Sequence, residues 1–451
     1  MKSQLLFLAL VISVSGVYAE TATPEYARRT LSNGLEVVVI ENHLVPIVTI
    51  EICTKNGSFT EPPEYNGLSH LYEHMFFKAN GAIPTSEEYL ERTHELGIHF
   101  NGTTHTEFVN YFFTLPKVNF QPGMKFMADA IMTPKFDQKE LEKEREVVLG
   151  EFDRNEANPM FPLIRAMDSS VWYKYPSRKQ PLGERPTIKT ATQEKMLTIQ
   201  RKYYIPNNSL LIIGGDVTPE EGFAEAEKQL GAWKRGEDPF KADPVPEHPP
   251  ITKSEIIKVP LNLPIGIIYG EWQGPSVGKD DKSTYAADVF SYICSQPNSK
   301  FQQALVESGL TQGIDIAYET QAHVGPIQIF GRAMPNMMPQ ALKALHDEIQ
   351  KFGNDDYFTD EELDAAKHIL KIGHLYEKES TSNYVHTVSF NWASCGFEYG
   401  DHYLENIQKV TRDDIKRYVN SYIKNKPQIM GVGLPEDQMK TLELNAEGVL
   451  Q

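Results

Sequence analysis

Residues 70–74 read His70-Leu71-Tyr72-Glu73-His74, an H-x-x-E-H run inside an apolar, helix-like segment. Residues four apart lie above one another on a helix face, so His70 and His74 can aim both imidazoles at one ion. Glu73, three residues after His70, falls on the same face, within reach of a water molecule at that point. Two neutral imidazoles beside a carboxylate suit a catalytic zinc, which takes N and O ligands and leaves one position open. The stretch therefore predicts a helix carrying part of a zinc hydrolase site.

Two histidines make half a site, and the search for a third ligand leads to Lys139–Pro159, KELEKEREVVLGEFDRNEANP. Glu144 and Glu151 are two helical turns apart and share one stripe. Val147, Val148, Leu149 and Phe152 flank Glu151 and should draw that part of the helix toward the core. A carboxylate pulled inward is costly unless it is paired or bound to a metal. Glu151 is therefore the candidate third ligand and Glu144 a carboxylate that orients one of the histidines. A second histidine pair, His94 and His99, is five apart, on different faces of a helix, and reads as a decoy.

Composition narrows the class. With 61 acidic against 44 basic residues, the net charge of −17 argues against a general nucleic-acid binder. Lys2, the apolar run Leu5 to Val17 and the small-residue site Val17-Tyr18-Ala19 read as a secretory signal peptide over residues 1–19. The expectation is an exported chain, periplasmic or secreted, starting near Glu20. No later segment is long and apolar enough for a transmembrane helix. Three cysteines, Cys53, Cys294 and Cys395, are too few for a disulfide scaffold and are expected as free thiols. Sequons stand at Asn56, Asn101 and Asn207 and matter only in a eukaryotic secretory pathway.

The length suits two domains of about two hundred residues each. Residues 236–253, rich in proline and acids, read as an extended linker between residues 20–235 and 254–451. Before the linker, strands are expected over Leu35–Ile40 and Thr49–Cys53, and helices over Ser86–Leu96 and Gln138–Arg154. After it the order partly repeats: strands within Ile256–Tyr269, a helical stretch Tyr285–Ser308, a strand Gly325–Phe330 and an amphipathic helix Met338–Phe352. Thr359 with Glu362 forms a capping box that starts another helix. The second half has no H-x-x-E-H. This predicts an α+β fold, a duplicated mixed sheet with helices packed on it, with zinc in the first copy only.

These residues resemble the inverzincin pattern of the pitrilysin family, which includes insulysin and the mitochondrial processing peptidase. Beyond the motif and its distant glutamate, the resemblance rests on Leu31–Val39, on Gly67-Leu68-Ser69 before the motif and on Met75-Phe76-Phe77-Lys78 after it. Asn101-Gly102-Thr103-Thr104 with Tyr111 resembles the family's substrate-facing edge strand. Tyr203–Asn208 and Ile213–Asp216 resemble the landmarks closing the first half. The resemblance implies one zinc per chain, held by His70, His74 and Glu151. It implies Glu73 as general base, Glu144 as the family's second important glutamate and Asn101 as its active-site asparagine. It also implies one side of a clam-shell chamber, peptides as substrate, and an extended peptide pairing with the strand near Phe100–Tyr111.

One departure bears on partners. Full-length members carry an arginine and a tyrosine seven apart that grip substrate backbone, and the corresponding segment here, Leu305–Gly313, has neither. In two-subunit bacterial members that pair resides on a homologous zinc-free partner, so a heterodimer is expected. A homodimer in which Tyr318 or Arg332 takes over the grip is the alternative. The competing functional reading is a non-catalytic assembly subunit, a class that has often lost the metal residues. Retention of His70, Glu73, His74 and Glu151 favours a metalloendopeptidase.

Overall fold

The computed structural model describes residues 26–441; the expected signal peptide lies outside them. The first unit is built on β1 (Ala27–Thr30), β2 (Glu36–Glu41), β3 (Ile47–Thr54), β4 (His99–Thr104), β5 (Val109–Pro116) and β6 (Ser209–Gly215). They lie in the order β1-β2-β6-β3-β5-β4, with β2 and β6 parallel and the other neighbours antiparallel. The second unit holds β7 (Glu255–Pro260), β8 (Gly266–Gln273), β9 (Gly313–Tyr318), β10 (Pro326–Ala333) and β11 (Ile429–Leu434). Their order is β7-β11-β8-β10-β9, again with one parallel pair, β7 with β11. Strand for strand, the second sheet repeats the pattern β2-β6-β3-β5-β4. The expected duplicated α+β architecture is what the chain adopts.

The central strands β2, β3, β6, β8 and β11 are buried on both faces, which explains their near-continuous apolar runs, while the edge strands β4 and β9 are partly exposed. Side chains alternate between faces along a strand. On β2, Val37 and Val39 enter the main core while Val38 and Ile40 enter a separate cluster behind the sheet. The helices that matter for the site are α1 (Leu68–Phe76), α2 (Ser86–Leu96), α3 (Phe120–Met132), α4 (Gln138–Glu156) and α5 (Phe161–Val171) in the first unit. In the second they are α6 (Asp281–Ser295), α7 (Asp360–Glu377) and α8 (Thr381–Phe390). The capping box at Thr359 and Glu362 starts α7 as expected.

The two units exchange helices. Leu163, Met167 and Val171 of α5 pack on Ile267 and Ile429 of the second sheet and on Leu261 just after β7. In return, Val385 and Val388 of α8 pack on Val38, Ile40, Leu210 and Ile212 of the first. A buried glutamate sits under each exchanged helix. Glu51 on β3, fully buried, accepts from Ser389 Oγ of α8 and pairs with His386 Nδ1. Glu271, on the corresponding strand β8, is buried too, and burial with the nearby carboxyl of Asp168 on α5 pushes its pKa up to about 7.

Several expectations are corrected. Tyr111 lies on β5, an interior strand; of the stretch Phe100–Tyr111, only the β4 part lies at a sheet edge. The helical stretch predicted over Tyr285–Ser308 stops at Ser295 and resumes at Lys300, because Pro297 cannot continue a helix. Val147 faces solvent, 47% exposed, rather than drawing α4 inward. Asn56 is fully buried, so its sequon cannot be glycosylated in the folded chain. Residues 236–253 hold one short turn, Pro239–Ala242, and otherwise no regular structure. Cys53, Cys294 and Cys395 are free. Among the described residues no helix is long and apolar enough to cross a membrane.

Candidate metal centre

Helix α1 is fixed by its apolar side. Leu68, Leu71, Tyr72, Met75 and Phe76 are buried; Tyr72 stacks on Tyr204 at 4.0 Å and Phe76 on Tyr111 at 3.8 Å between ring centroids. Its start is tightly constrained. Gly67 has φ +92°, and a Cβ there would come within 2.6 Å of the Leu182 carbonyl oxygen, so glycine suits both the backbone angle and the space. With no side chain at that cap, the buried Glu61 carboxylate accepts from the N–H groups of Gly67 and Ser69, each at 2.7 Å, satisfying donors that a helix start leaves free. Burial lifts the Glu61 pKa to about 7.

The opposite face of α1 presents His70, Glu73 and His74 to α4 and β4. Helix α4 begins at Asp137, whose side chain accepts from the N–H groups of Lys139 and Glu140. It buries Leu141, Val148, Leu149 and Phe152, leaving Glu144 and Glu151 on the stripe facing α1. Glu151 Oε2 lies 3.4 Å from His70 Nε2 and 3.8 Å from His74 Nε2. The imidazole rings stand nearly perpendicular, 4.8 Å apart. Among the described residues these three form the one metal-capable group of histidine, cysteine and acidic side chains, with one ligand atom from each all within 4.8 Å of one another. His94 and His99 take no part in such a group.

The donor set fits zinc. Bonds of about 2.0–2.1 Å in a tetrahedron put ligand atoms about 3.3 Å apart, close to the spacing here. His70 is held neutral, as a ligand must be: burial and the neighbouring His74 lower its pKa to about 4. For His74 burial acts downward, but the hydrogen bond to Glu144 and the charges of Glu151 and Glu73 outweigh it and raise the pKa.

Around these residues lies a layer of anchors. Glu144, 8% exposed, meets His74 Nδ1 at 3.2 Å through one oxygen. Its other oxygen is 2.7 Å from Lys78 Nζ. Thr104 Oγ1 on β4 donates to Glu73 Oε2 at 2.6 Å, while burial raises the Glu73 pKa. Gly102 makes room for this approach, since a Cβ there would come within 2.9 Å of Glu73 Cγ. Strand alternation then turns Asn101, an exposed residue, to the face opposite Thr104. The roles of Lys78 and Thr104 were missed. The spacing of four between His74 and Lys78 was a usable signal for the first; the second depends on a non-local contact.

Comparison with known proteins identifies the family. Residues 36–182 match the insulinase (peptidase family M16) signature and residues 190–370 match the peptidase M16 inactive domain. The chain belongs to peptidase family M16. It is 27% identical to an uncharacterized zinc protease of Rickettsia felis over 86% of this chain and 93% of the relative. It is 24% identical to the probable mitochondrial-processing peptidase subunit beta of Arabidopsis thaliana, over 90% and 77% of the two chains. The fold matches a protease from Helicobacter pylori with TM-score 0.80 and 20% identity, covering 92% of this chain and all of that one. The periplasmic protease PqqL from Escherichia coli matches with TM-score 0.75 and 18% identity; 95% of this chain covers 49% of that one.

Proposed function

We propose that the protein is a zinc-dependent endopeptidase that hydrolyses short or unfolded peptides. The observation that carries this reading is the convergence of His70, His74 and Glu151 beside a carboxylate, Glu73, that is held by Thr104. Zinc at this place would be held by His70, His74 and Glu151, and when bound it supplies Lewis acidity to water and to the scissile carbonyl. Glu73 is positioned to take a proton from the attacking water. Thr104 fixes the carboxylate from the β4 side, and Glu144 fixes the ring of His74. Substrate is read as an added strand on the free edge of β4, where main-chain pairing gives affinity with little sequence demand and favours extended peptides. The catalytic role belongs to residues 20–235 and the metal-free role to 254–451, with 236–253 joining them. Export to the periplasm or beyond agrees with the apolar start of the chain and with the described location of PqqL.

Metal analysis and peptide turnover, measured with a zinc-free homologous partner present, test this together. The wild-type chain should hold one zinc, and His70→Ala or Glu151→Gln should lose it. Glu73→Gln should keep the metal yet lose hydrolysis by about 10²–10⁴-fold, because an amide accepts no proton. Full zinc occupancy in either ligand variant, or near-normal turnover by Glu73→Gln, would overturn the reading.

A further inference from the structure

The duplication gives the second unit a counterpart of the metal centre. In the first unit the centre lies between α1 and α4, beside the edge strand β4. In the second, a cavity of about 350 Å³ opens between α6 and α7, beside the edge strand β9. That volume lies at the lower end of the range for small-ligand sites, about 300–1,000 Å³. Asp288 and Tyr292, four apart on α6, line it as His70 and His74 line the first site. Counted from the helix caps, Glu151 is fourteen residues after Asp137, and the residue fourteen after Thr359 is Gly373. The ligand-bearing position on α7 thus has no side chain, and the space is left as a cavity.

The chemistry of its walls is one-sided. Tyr292, Tyr318, Tyr399, Tyr403 and Phe390 supply aromatic rings. Three of the four hydroxyls are already engaged: Tyr318 donates to the Pro275 carbonyl at 3.0 Å, Tyr399 pairs with Thr284 at 2.8 Å, and Tyr403 donates to Asp288 Oδ2 at 2.8 Å. Besides the π faces, the titratable groups left on its walls are Asp288, Glu377 and His374. Asp288 has Tyr403 as its hydrogen-bond partner and, among the described residues, no basic side chain within 4 Å. Burial accordingly raises its pKa to about 7. Glu377, 49% exposed, lies 3.6 Å from His374 Nδ1, so Asp288 is the carboxylate without a basic partner. No lysine or arginine lines the space. A partly buried carboxylate without a counter-ion, walled by tyrosine rings, is complementary to a cation that is itself apolar in outline.

We infer that this cavity is a binding site for an organic cation, an ammonium or guanidinium head on a short aliphatic stem, seated on Asp288 among Tyr292, Tyr318 and Tyr403. The head can come from a basic side chain of a bound peptide or from a free amine. The site is independent of the metal centre, so its test does not stand or fall with the peptidase reading. Titration calorimetry on the full chain would use three probes: acetyl-Gly-Lys-Gly-amide, 1,5-diaminopentane and the neutral acetyl-Gly-norleucine-Gly-amide. The lysine peptide should bind saturably and the norleucine peptide at least ten-fold more weakly. Asp288→Asn should weaken the lysine peptide at least ten-fold. Tyr292→Ala, a change at a 40% exposed ring that leaves the core intact, should weaken it a few-fold, as loss of one cation–π contact does. His70→Ala should change nothing. Binding of the diamine as well as the peptide identifies the free head as sufficient; binding of the peptide alone identifies a side-chain subsite. No saturable binding of either cation, equal binding of the norleucine peptide, or indifference to both Asp288→Asn and Tyr292→Ala would overturn the inference.

Discussion

Lys78 shows how much of this site depends on residues that touch no metal and no substrate. Its ammonium and His74 Nδ1 take opposite oxygens of Glu144. Lys78 thus sets the carboxylate, the carboxylate sets the ring, and the ring directs Nε2 toward Glu151 and His70. Losing an outer partner of a metal-binding histidine costs about 10–100-fold in affinity. Lys78→Met should therefore weaken zinc binding by about ten-fold, as read by competition with a chelator, with Lys78→Arg restoring most of it. Unchanged affinity in Lys78→Met would remove the residue from the chain of contacts. At this scale the sequence was legible where spacing alone decides: His70, Glu73 and His74 share a face because 3.6 residues make a turn, and Glu144 and Glu151 share a stripe for the same reason. Thr104 and the orientation of Asn101 were not legible, because they depend on which way a strand 30 residues away alternates against α1.

The exchanged helices carry the element-scale lesson. The strands β2 and β6 could be read as buried on both faces from their unbroken apolar runs, but nothing local says that the second cover comes from α8, more than 150 residues after β6. The contact is specific nonetheless, since Glu51 in the sheet meets His386 and Ser389 on that helix. For His386 burial acts downward, but the hydrogen bond and charge of Glu51 prevail and raise its pKa above the ordinary 6.5; His105, also nearby, has its own pKa lowered by burial. A histidine raised in the folded state favours folding while it is protonated. Its contribution is complete below pH 6.5 and is lost as the pH climbs through the raised native value. The urea midpoint of His386→Gln should thus fall below wild type at pH 6, with the gap narrowing by pH 9. A gap that stays constant or widens with pH would show that the pair acts through shape and not charge.

At the scale of the whole molecule, the chain has two units of one architecture and one metal-capable group among the described residues. The segment in which the family's arginine and tyrosine were sought supplies neither. Val306 packs against the second core and Gly313 opens β9. The substitutes considered from sequence fare unequally. Tyr318 has its hydroxyl committed to the Pro275 carbonyl and lines the second cavity; Arg332 stands exposed on β10, paired across the ladder with Gly313. Neither is among the contacts of Glu73, Glu144 or Glu151. Orientation of the substrate can supply as much as about 7–11 kcal/mol of a barrier reduction, so a chain that lacks the gripping pair should bind zinc normally and turn over peptides slowly. Adding a zinc-free homologue that carries the arginine and tyrosine should raise kcat/KM by at least a hundred-fold and give a one-to-one complex by sedimentation. If the purified chain is fully active alone and sediments as a homodimer, a residue of this chain supplies the grip, and Arg332→Ala is then the variant that should abolish it.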